Sequence, residues 1–403
     1  MAIKSIKKFI IQSSLVLLLS TLVNNSSGQE TKTITLSKGD AQRTSQRLLQ
    51  AGATHRYRIA LAMGDFVHIN INQSGIDVIA RVSTPNNEVQ VFDSPTGELD
   101  PEDIYLLSNS GGKYDILISP AQKYADPGTY KIKVSRWGKS SESEKKWMIA
   151  LKATQKGDQL RDKADTRPQS LLQYEAALTL WKELKDPRQY ANTQRSLGFV
   201  YIREKKYEKA LEIFQQLKQS WHKLNDIRSE GFTYLIIGRI YDLQKNYSKS
   251  LDCNLSSLLY WRRAKDPDQE SFVLMNIGNL YSHLQNKQNS LDYFKQALKK
   301  NEGSKRPSVK AVILRDYATA MLSFGEDQKA IQLFDQSLKQ WHLTVNKPEE
   351  AHTAGMIAGY FGEKKNKQKS IYYYQYALEI WKKLNEEKEI KNVQLALDKL
   401  ENK

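Results

Sequence analysis

The second half of this chain repeats every 40 residues, and this period constrains its fold more strongly than any other feature. When the sequence is written in rows of 40, one column holds only small residues: Gly198, Gly238, Gly278, Ala318 and Ala358. Another column holds tryptophan in every row but one, namely Trp181, Trp221, Trp261, Trp341 and Trp381, and Asn301 stands in the remaining row. A fixed period of this length indicates an array of stacked units, because one unit alone cannot bury its apolar face.

Each row contains two segments with helical periodicity that are joined by a short polar turn. In one row these segments run from Tyr190 to Arg203 and from Tyr207 to Leu224. Small residues such as Gly198 let the two helices approach closely, and large residues such as Phe214 fill the space between that hairpin and the next. Prolines between rows, as in Asp186-Pro187, stop one helix and open the next. We therefore predict an α-solenoid of five clear helical hairpins and an irregular leading one.

The order Leu197-Gly198, Tyr201, Ala210 and Phe214 resembles the tetratricopeptide repeat, which alternates large, small and aromatic residues at these places. The usual repeat has about 34 residues, and the rows of 40 depart from it by a longer second helix and linker. The resemblance extends over about residues 145–403 and implies that the first helix of each hairpin lines a concave, partner-binding face. An unrelated α-hairpin repeat is the alternative.

The C-terminal end of the array differs from its rows. Ile390, Val393, Leu397 and Leu400 form an apolar stripe on one side of a helix whose other side is charged. A helix of this kind caps a solenoid and keeps it soluble, so we predict a cap helix over about residues 387–402. Because the sequence stops at Lys403, directly after this cap, we expect no catalytic domain after the array.

Residues 31–137 have an alternating period instead, with glycine and proline between short β-branched and aromatic runs. The clearest runs are Thr33–Leu36, His55–Ala62, Phe66–Ile71, Ile76–Val82, Glu88–Phe92, Tyr114–Ser119 and Tyr130–Val134. Seven or eight short strands at this spacing predict an antiparallel β-sandwich. The predicted fold class is therefore multidomain, an all-β sandwich followed by an all-α solenoid.

The glycine and proline residues between the predicted strands of this region carry a second resemblance. The order Gly75-Ile76-Asp77, Pro85, Gly111-Gly112 and Gly128-Thr129-Tyr130 resembles the pre-peptidase C-terminal-like β-sandwich. That domain precedes tetratricopeptide arrays in many exported bacterial proteins, where a caspase-like CHAT peptidase domain often follows. A CHAT peptidase needs a His–Cys dyad, whereas the single cysteine of this chain, Cys253, falls on a second helix inside the array. We expect no CHAT domain here, and a buried apolar role for Cys253.

The N-terminus has the pattern of a secretory signal. Lys4, Lys7 and Lys8 precede a short apolar stretch, and Ser26-Ser27-Gly28 offers a cleavage region. We predict a signal peptide over residues 1–28 and an exported protein, periplasmic, on the cell surface or secreted, without a membrane span after cleavage. The alternative is an uncleaved anchor, for which the stretch is short and mixed.

Residue clusters that carry chemistry are scarce in this sequence. There is no phosphate loop, His-Glu-x-x-His or Gly-x-Ser-x-Gly motif, so we predict no catalytic residues and no cofactor. The acidic run Asp93, Glu98, Asp100, Glu102 and Asp103 offers carboxylates that Ca²⁺ prefers. Its spacing matches no calcium loop and acidic turns are common, so we predict no metal site.

The outward positions of the first helices are the candidate binding residues. Mapped through the repeat, they are Asn192, Arg195, Phe199, Arg203, Arg239, Asp242, Asn279, His283 and Arg315. Several arginines facing one concavity would clamp a carboxylate or an acidic peptide, and a solvated charged face is the alternative. The net charge of +16 favours an acidic partner, while the signal peptide and the scattered lysines argue against nucleic acid.

These observations favour an exported, non-enzymatic scaffold that binds a protein or peptide in the groove of a solenoid. One alternative makes the chain the partner-sensing portion of a split or truncated CHAT-type peptidase system. Another makes the β-sandwich a glycan-binding module that tethers the array to the cell envelope. The sequence predicts neither the identity of the partner nor the oligomeric state.

Overall fold

A computed structural model describes residues 33–37, 45–93, 101–304 and 306–401 of the chain. The chain divides into two compact units, a first unit of Gln29–Lys300 and a second unit of Asn301–Lys403, and each is described by itself. The predicted signal peptide lies outside the described residues. Within the described ranges, none of the helices is both long and apolar enough to cross a bilayer.

The first unit begins with nine described strands in two sheets. They are β1 Ile34–Leu36, β2 Ser45–Leu49, β3 His55–Leu61, β4 Asp65–Ser74, β5 Val78–Ser83, β6 Val89–Phe92, β7 Glu102–Leu107, β8 Gly112–Pro120 and β9 Gly128–Lys139. One sheet has the strand order β1-β3-β8-β5-β6, and the other has the order β2-β9-β4-β7. Strands β2 and β7 were not among the predicted runs, since Ser45–Leu49 and Glu102–Leu107 are rich in polar and charged residues.

The prediction of purely antiparallel pairing is wrong at one place. Strand β1 pairs with β3 in parallel, with Ile34 opposite Tyr57. The strand between them, β2, belongs to the other sheet, so the chain leaves the first sheet and returns in its original direction. An alternating sequence pattern records which side chains are buried but carries no information about strand direction.

Both sheets contribute side chains to one hydrophobic cluster. Alternate residues of β3 and β4, among them Ile59 and Ile69, are fully buried there. The cluster also holds polar groups that satisfy one another: the Tyr130 hydroxyl lies 2.8 Å from that of Tyr57 and 2.7 Å from Nδ1 of His55. Burial lowers the pKa of His55, which favours the neutral ring in this position.

The helices of the first unit follow directly. They are α1 Glu142–Leu160, α2 Arg167–Glu183, α3 Pro187–Arg203, α4 Tyr207–Lys223, α5 Ile227–Leu243, α6 Tyr247–Ala264, α7 Pro267–His283 and α8 Lys287–Asn301, whose last residue belongs to the second unit. Helix α1 starts with a capping box between Ser141 and Glu144. Its Trp147 ring packs 4.2 Å from Tyr105 of β7 and 5.1 Å from Trp181, so the sheets and the first hairpin share an aromatic contact.

The second unit contains five described helices. They are α9 Pro307–Ser323, α10 Asp327–His342, α11 Lys347–Glu363, α12 Lys367–Leu384 and α13 Glu387–Glu401. Helix α13 occupies the place where the sequence predicts the cap, and its Val393 and Leu397 are buried. The residues of α9 to α12 continue the 40-residue rows of the first unit.

The turn inside each hairpin has a recurring backbone conformation. Lys205 and Lys245 have φ of 58° and 60°, and Gly325 occupies the equivalent place in the second unit. At the end of α3, the Lys206 N–H donates to the Tyr201 carbonyl and the Lys205 N–H donates to the Ile202 carbonyl. This pattern satisfies carbonyl groups that a helix end leaves without partners, and it reverses the chain in few residues.

The small-residue columns set how closely the helices of one hairpin approach. A Cβ added at Gly198 would lie 2.7 Å from the Phe214 ring, and one at Gly278 would lie 3.0 Å from Phe294. Ser290 and Ser370 each stand twelve residues after a small residue of the first small-residue column and bond to its carbonyl: Ser290 Oγ donates to Gly278 at 2.8 Å, and Ser370 Oγ donates to Ala358 at 2.8 Å. These contacts hold the two helices of a hairpin at close distance.

Three further columns mark the passage from one row to the next. The tryptophans Trp221, Trp261, Trp341 and Trp381 are buried. Five residues after a tryptophan stands the N-cap of the next helix, Asp226, Asp266 or Asn346, whose side chain accepts a backbone N–H. Nine residues after a tryptophan stands a buried glutamate, Glu230, Glu270 or Glu350.

The buried glutamates are held by partners within their own units. Glu230 accepts the Tyr260 hydroxyl at 2.7 Å, and Glu270 pairs with Arg262 at 3.1 Å. Burial opposes ionisation of Glu350, but hydrogen bonds from Lys347, Tyr376 and His342 outweigh it and lower its pKa. Each of the three glutamates is therefore held by internal partners rather than exposed to solvent.

The close approach at Gly198 predicts that Gly198→Ala destabilises the chain, even though alanine favours helices. Displacing the buried Phe214 ring lowers the free energy of unfolding by about 1–3 kcal/mol. The higher helix propensity of alanine raises it by only about 1 kcal/mol. We expect a lower midpoint of urea unfolding, measured by circular dichroism. Gly355→Ala is the matched control, because no atom lies within 4 Å of its added Cβ, and we expect a gain of about 0.5–1 kcal/mol there. Equal effects of the two substitutions would contradict the proposed contact.

Candidate functional site

The predicted binding residues divide between the two units. Eight of them lie on or beside the helices α3, α5 and α7 of the first unit, and Arg315 lies on α9 of the second unit. These helices are the first helices of successive hairpins. The structure distinguishes residues that a partner can reach from residues that are already engaged within the protein.

Arg195 was placed on the accessible face, and this placement is wrong. Its side chain is only 2% exposed, and its guanidinium lies 5.7 Å from the centre of the Trp221 ring. The helical phase of α3 turns this residue toward the second helix of its own hairpin, beside the buried Ser196. A contact with an aromatic face stabilises a cation inside the protein, so Arg195 belongs to the packing of the row.

Two other arginines are accessible in part but already paired. Arg203 Nη2 lies 2.9 Å from Asp162 Oδ1 in the first unit. In the second unit, Arg315 Nη1 lies 2.7 Å from Glu349 Oε2, and Arg315 Nε lies 3.3 Å from Asp316 Oδ1. A partner carboxylate would compete with these internal carboxylates, so the structure does not support a clamp formed by free arginines at these positions.

The structure brings Arg239, Asp242 and His283 into one charged cluster on α5 and α7. The imidazole of His283 stacks on Tyr247 at 4.7 Å with 13° between the rings. Burial raises the pKa of Asp242, although the charges of His283 and Arg239 act in the opposite direction. Arg239 is exposed and Asp242 is half-buried. We name Arg239, Asp242, Tyr247 and His283 the charged cluster.

Three phenylalanines on first helices accompany this cluster, namely Phe199, Phe232 and Phe272, and sequence reasoning missed two of them. Phe199 was predicted, and its ring lies 6.5 Å from that of Phe232. Phe272 follows Phe232 by one row and is 44% exposed. Asn192 stands in the same column one row earlier, so the 40-residue period applied to Asn192 would have found both phenylalanines. Asn279 lies one turn before His283 and is half-buried.

The acidic run of the β-region contributes only in part to a common site. Carboxylate oxygens of Asp77, Asp93 and Glu102 lie within 4.8 Å of one another, whereas Asp103 points to His68. Glu98 and Asp100 lie outside the described residues. Ca²⁺ takes six to eight oxygen ligands, and Glu102 also receives a hydrogen bond from Gln73 at 3.4 Å. We assign no metal to this cluster.

Asp103 instead ends a chain of hydrogen bonds that the sequence did not reveal. Ser135 Oγ lies 2.7 Å from His68 Nδ1, and His68 Nε2 lies 2.7 Å from Asp103 Oδ1. Serine hydrolases use the two nitrogens in the reverse order, with Nε2 facing the serine. Ser135 is also the extra residue of a β-bulge between β4 and β9. We assign this chain the role of fixing the bulge.

No protein-family model and no curated protein matches this chain. Similar solved structures include BtubC (BKLC) from P. vanneervenii, at 16% identity and a TM-score of 0.41 over 51% of this chain and 92% of that one. Another is a Podosopora anserina putative kinesin light chain with nearly identical TPR-like repeats, at 13% identity and a TM-score of 0.39 over 49% of this chain and 94% of that one. A third is the apo form of RapI, at 20% identity and a TM-score of 0.42 over 61% of this chain and 86% of that one.

The raised pKa of Asp242 predicts that Asp242→Asn stabilises the protein at neutral pH. A carboxyl whose folded pKa is raised contributes stability at low pH and loses it as pH rises through that pKa. The asparagine variant should therefore have a higher urea midpoint at neutral pH, and the difference should vanish under acid conditions.

The control for this substitution is Asp252→Asn, at an exposed aspartate on α6. We expect it to change the free energy of unfolding by less than about 0.5 kcal/mol at either pH. A destabilising effect of Asp242→Asn at neutral pH would show that the carboxylate is favourably paired, contrary to the burial argument.

Proposed function

We propose that this chain is an exported, non-enzymatic scaffold that binds a protein or peptide along helices α3, α5 and α7. The observation that carries the proposal is the combination of three phenylalanines on successive first helices with the charged cluster. Phe199, Phe232 and Phe272 supply apolar contact area, and Arg239 and His283 supply exposed polar groups beside it.

The proposed ligand is an extended peptide with apolar side chains and at least one carboxylate. Aromatic anchors surrounded by polar groups are the usual energetic centre of a protein interface. Arg239 is exposed and so is available to a carboxylate, unlike the engaged Arg195, Arg203 and Arg315. A single cationic contact at Arg239 thus takes the place of the predicted clamp of several arginines.

The unfavourable position of Asp242 also supports a binding role. Binding sites commonly keep ionisable groups in environments that cost stability, because function rather than folding maintains them. Asp242 lies next to the exposed Arg239 and His283, and its charge limits how strongly an acidic ligand is attracted. The cluster therefore favours a ligand with an acidic and a basic or polar group in sequence over a uniformly acidic one.

We further propose that the two sheets form a β-sandwich of the pre-peptidase C-terminal-like type, and that the protein reaches its site of action by export. The shared hydrophobic cluster of the sheets supports the first part. The basic and apolar pattern of residues 1–28 supports the second. Fractionation of cells that express the tagged full chain, together with N-terminal sequencing of the mature protein, tests the export proposal.

The binding proposal is tested with Phe272→Ala and Arg239→Glu in the full chain. Both residues are exposed, so their replacement leaves the core intact. The wild-type chain selects peptides from a displayed random library, and their affinities are then measured by titration calorimetry. Loss of a central aromatic contact is expected to weaken binding about tenfold or more, and charge reversal at Arg239 should remove the preference for a carboxylate.

Leu259→Ala provides the matched control for Phe272→Ala. Leu259 is 59% exposed, but it lies on the second helix α6 rather than on a first helix. We expect affinities within about twofold of wild type for this variant. If Leu259→Ala weakens binding while both first-helix variants bind normally, the partner uses the opposite side of the hairpins and the proposed site is wrong.

A further inference from the structure

The row that begins at Asn301 departs from its neighbours in three columns at once. Asn301 stands where other rows have a buried tryptophan, and Arg306 stands where they have an aspartate or asparagine N-cap. Lys310 stands where they have the buried glutamates Glu230, Glu270 and Glu350. One change removes a large apolar ring, and the other two replace acidic or neutral groups by cations.

A cavity lies at the place where the ring is missing. Its volume is about 220 Å³, and its walls include Asn301, Ser304, Arg306, Lys310 and Gln340, all within the second unit. This volume is far larger than one water molecule needs. Its polar lining makes it a place for a hydrophilic ligand rather than an empty apolar void.

The cavity lies at the N-terminus of α9, a helix of 17 residues. The side chain of its N-cap residue, Arg306, makes no capping hydrogen bond, whereas Asp226, Asp266 and Asn346 each accept a backbone N–H at the equivalent places. The N–H groups of a first helical turn and the helix dipole attract negative charge. The N-cap side chain of α9, Arg306, therefore offers no acceptor oxygen of the kind that Asp226, Asp266 and Asn346 provide.

Asn301 gives an independent indication of a ligand. Its side chain is 4% exposed, and its Nδ2 has no hydrogen-bond partner in the part of the chain that the structure describes. A buried amide donor without an acceptor costs stability. It lines the cavity, where an acceptor brought by a ligand would satisfy it.

The charges around the cavity determine the sign of that ligand. Arg306 and Lys310 are cationic, while Glu302 is the one acidic residue among the lining groups and is exposed to solvent. The lining therefore has a net positive charge, to which the helix N-terminus adds. The lining therefore combines an amide, a guanidinium and an ammonium group with the N-terminus of a helix.

We propose that this cavity is a binding site for a phosphate group. A tetrahedral phosphate offers acceptor oxygens in several directions, whereas a carboxylate offers two in one plane. The bound oxyanion takes the place of the missing cap of α9, accepts from Asn301 Nδ2 and pairs with Lys310 and Arg306. Free phosphate and a phosphate ester share this chemistry and are separated by experiment.

The site goes beyond the proposed peptide groove and is independent of it. The groove residues lie in the first unit, and the cavity residues lie in the second unit. A substitution in the cavity that abolishes phosphate binding but leaves peptide binding unchanged therefore concerns this site alone. A substitution in the groove that abolishes peptide binding but leaves phosphate binding unchanged concerns the groove alone.

The test restores the pattern of the other rows with Asn301→Trp, Arg306→Asp and Lys310→Glu combined. The variant refills the cavity and supplies a cap and a glutamate that its neighbours already use. Inorganic phosphate and O-phosphoserine are titrated into the full chain by calorimetry, and thermal unfolding is followed at matched ionic strength with chloride as the reference. Phosphate should raise the melting temperature of the wild type by mass action and leave that of the restored variant unchanged.

Lys310→Glu alone keeps the experiment decisive if the triple variant does not fold, because Lys310 is exposed. We expect it to weaken phosphate binding at least about tenfold, as for loss of a charge-assisted hydrogen bond. Lys388→Glu with Lys391→Glu, two exposed lysines on α13, is the control for net charge and should bind phosphate like the wild type. Tighter binding of O-phosphoserine than of phosphate would identify an ester as the ligand.

Two results would overturn the proposal. One is stabilisation of the wild type by chloride as strong as that by phosphate, which would show general screening of the basic surface. The other is equal phosphate binding by the wild type and by Lys310→Glu or the restored variant, which would place the phosphate elsewhere on the chain.

Discussion

The fold of the helical part depends on the close contact between the two helices of each hairpin. A helix pair can approach this far only where one helix presents glycine or alanine and the other packs an aromatic ring or a serine hydroxyl against it, as Gly198 with Phe214 and Gly278 with Ser290 do. Once that distance is fixed, the rotation of each first helix is fixed as well. The faces left over by this packing are the ones that carry Phe232, Phe272 and Arg239.

The sequence predicts the parts of this fold that repeat. The segment predicted from Tyr207 to Leu224 ends within one residue of α4, Tyr207–Lys223, because periodicity and turn residues agree at each row. Asn254 stands where the other rows have Phe214, Phe294, Phe334 or Tyr374. This departure has a local explanation, since Asn254 Nδ2 donates to the Ser250 carbonyl at 2.8 Å. The β-region was less predictable, because the polar strands β2 and β7 are held by pairing with neighbours far away in sequence.

The candidate site was predictable in position but not in detail. The period placed Arg239, Asp242 and His283 on the same kind of surface, and the structure groups them. It could not reveal that Arg195 turns inward onto Trp221 or that Glu349 engages Arg315, because both contacts depend on side-chain geometry. Asn301 is visible in the sequence as an irregularity in a column, but only the structure shows the cavity beside it, which Arg306 and Lys310 also line.

The raised pKa of Asp242 has a consequence for the thermodynamics of recognition. A ligand that brings a cation next to this carboxyl lowers its pKa and so releases protons, whereas a ligand that brings a carboxylate raises the pKa and takes protons up. The observed enthalpy of association would then vary with the ionisation enthalpy of the buffer, and the sign of that variation reports the charge of the group that docks there. A single half-buried aspartate thus makes the protein a reporter of the chemistry of its own partner.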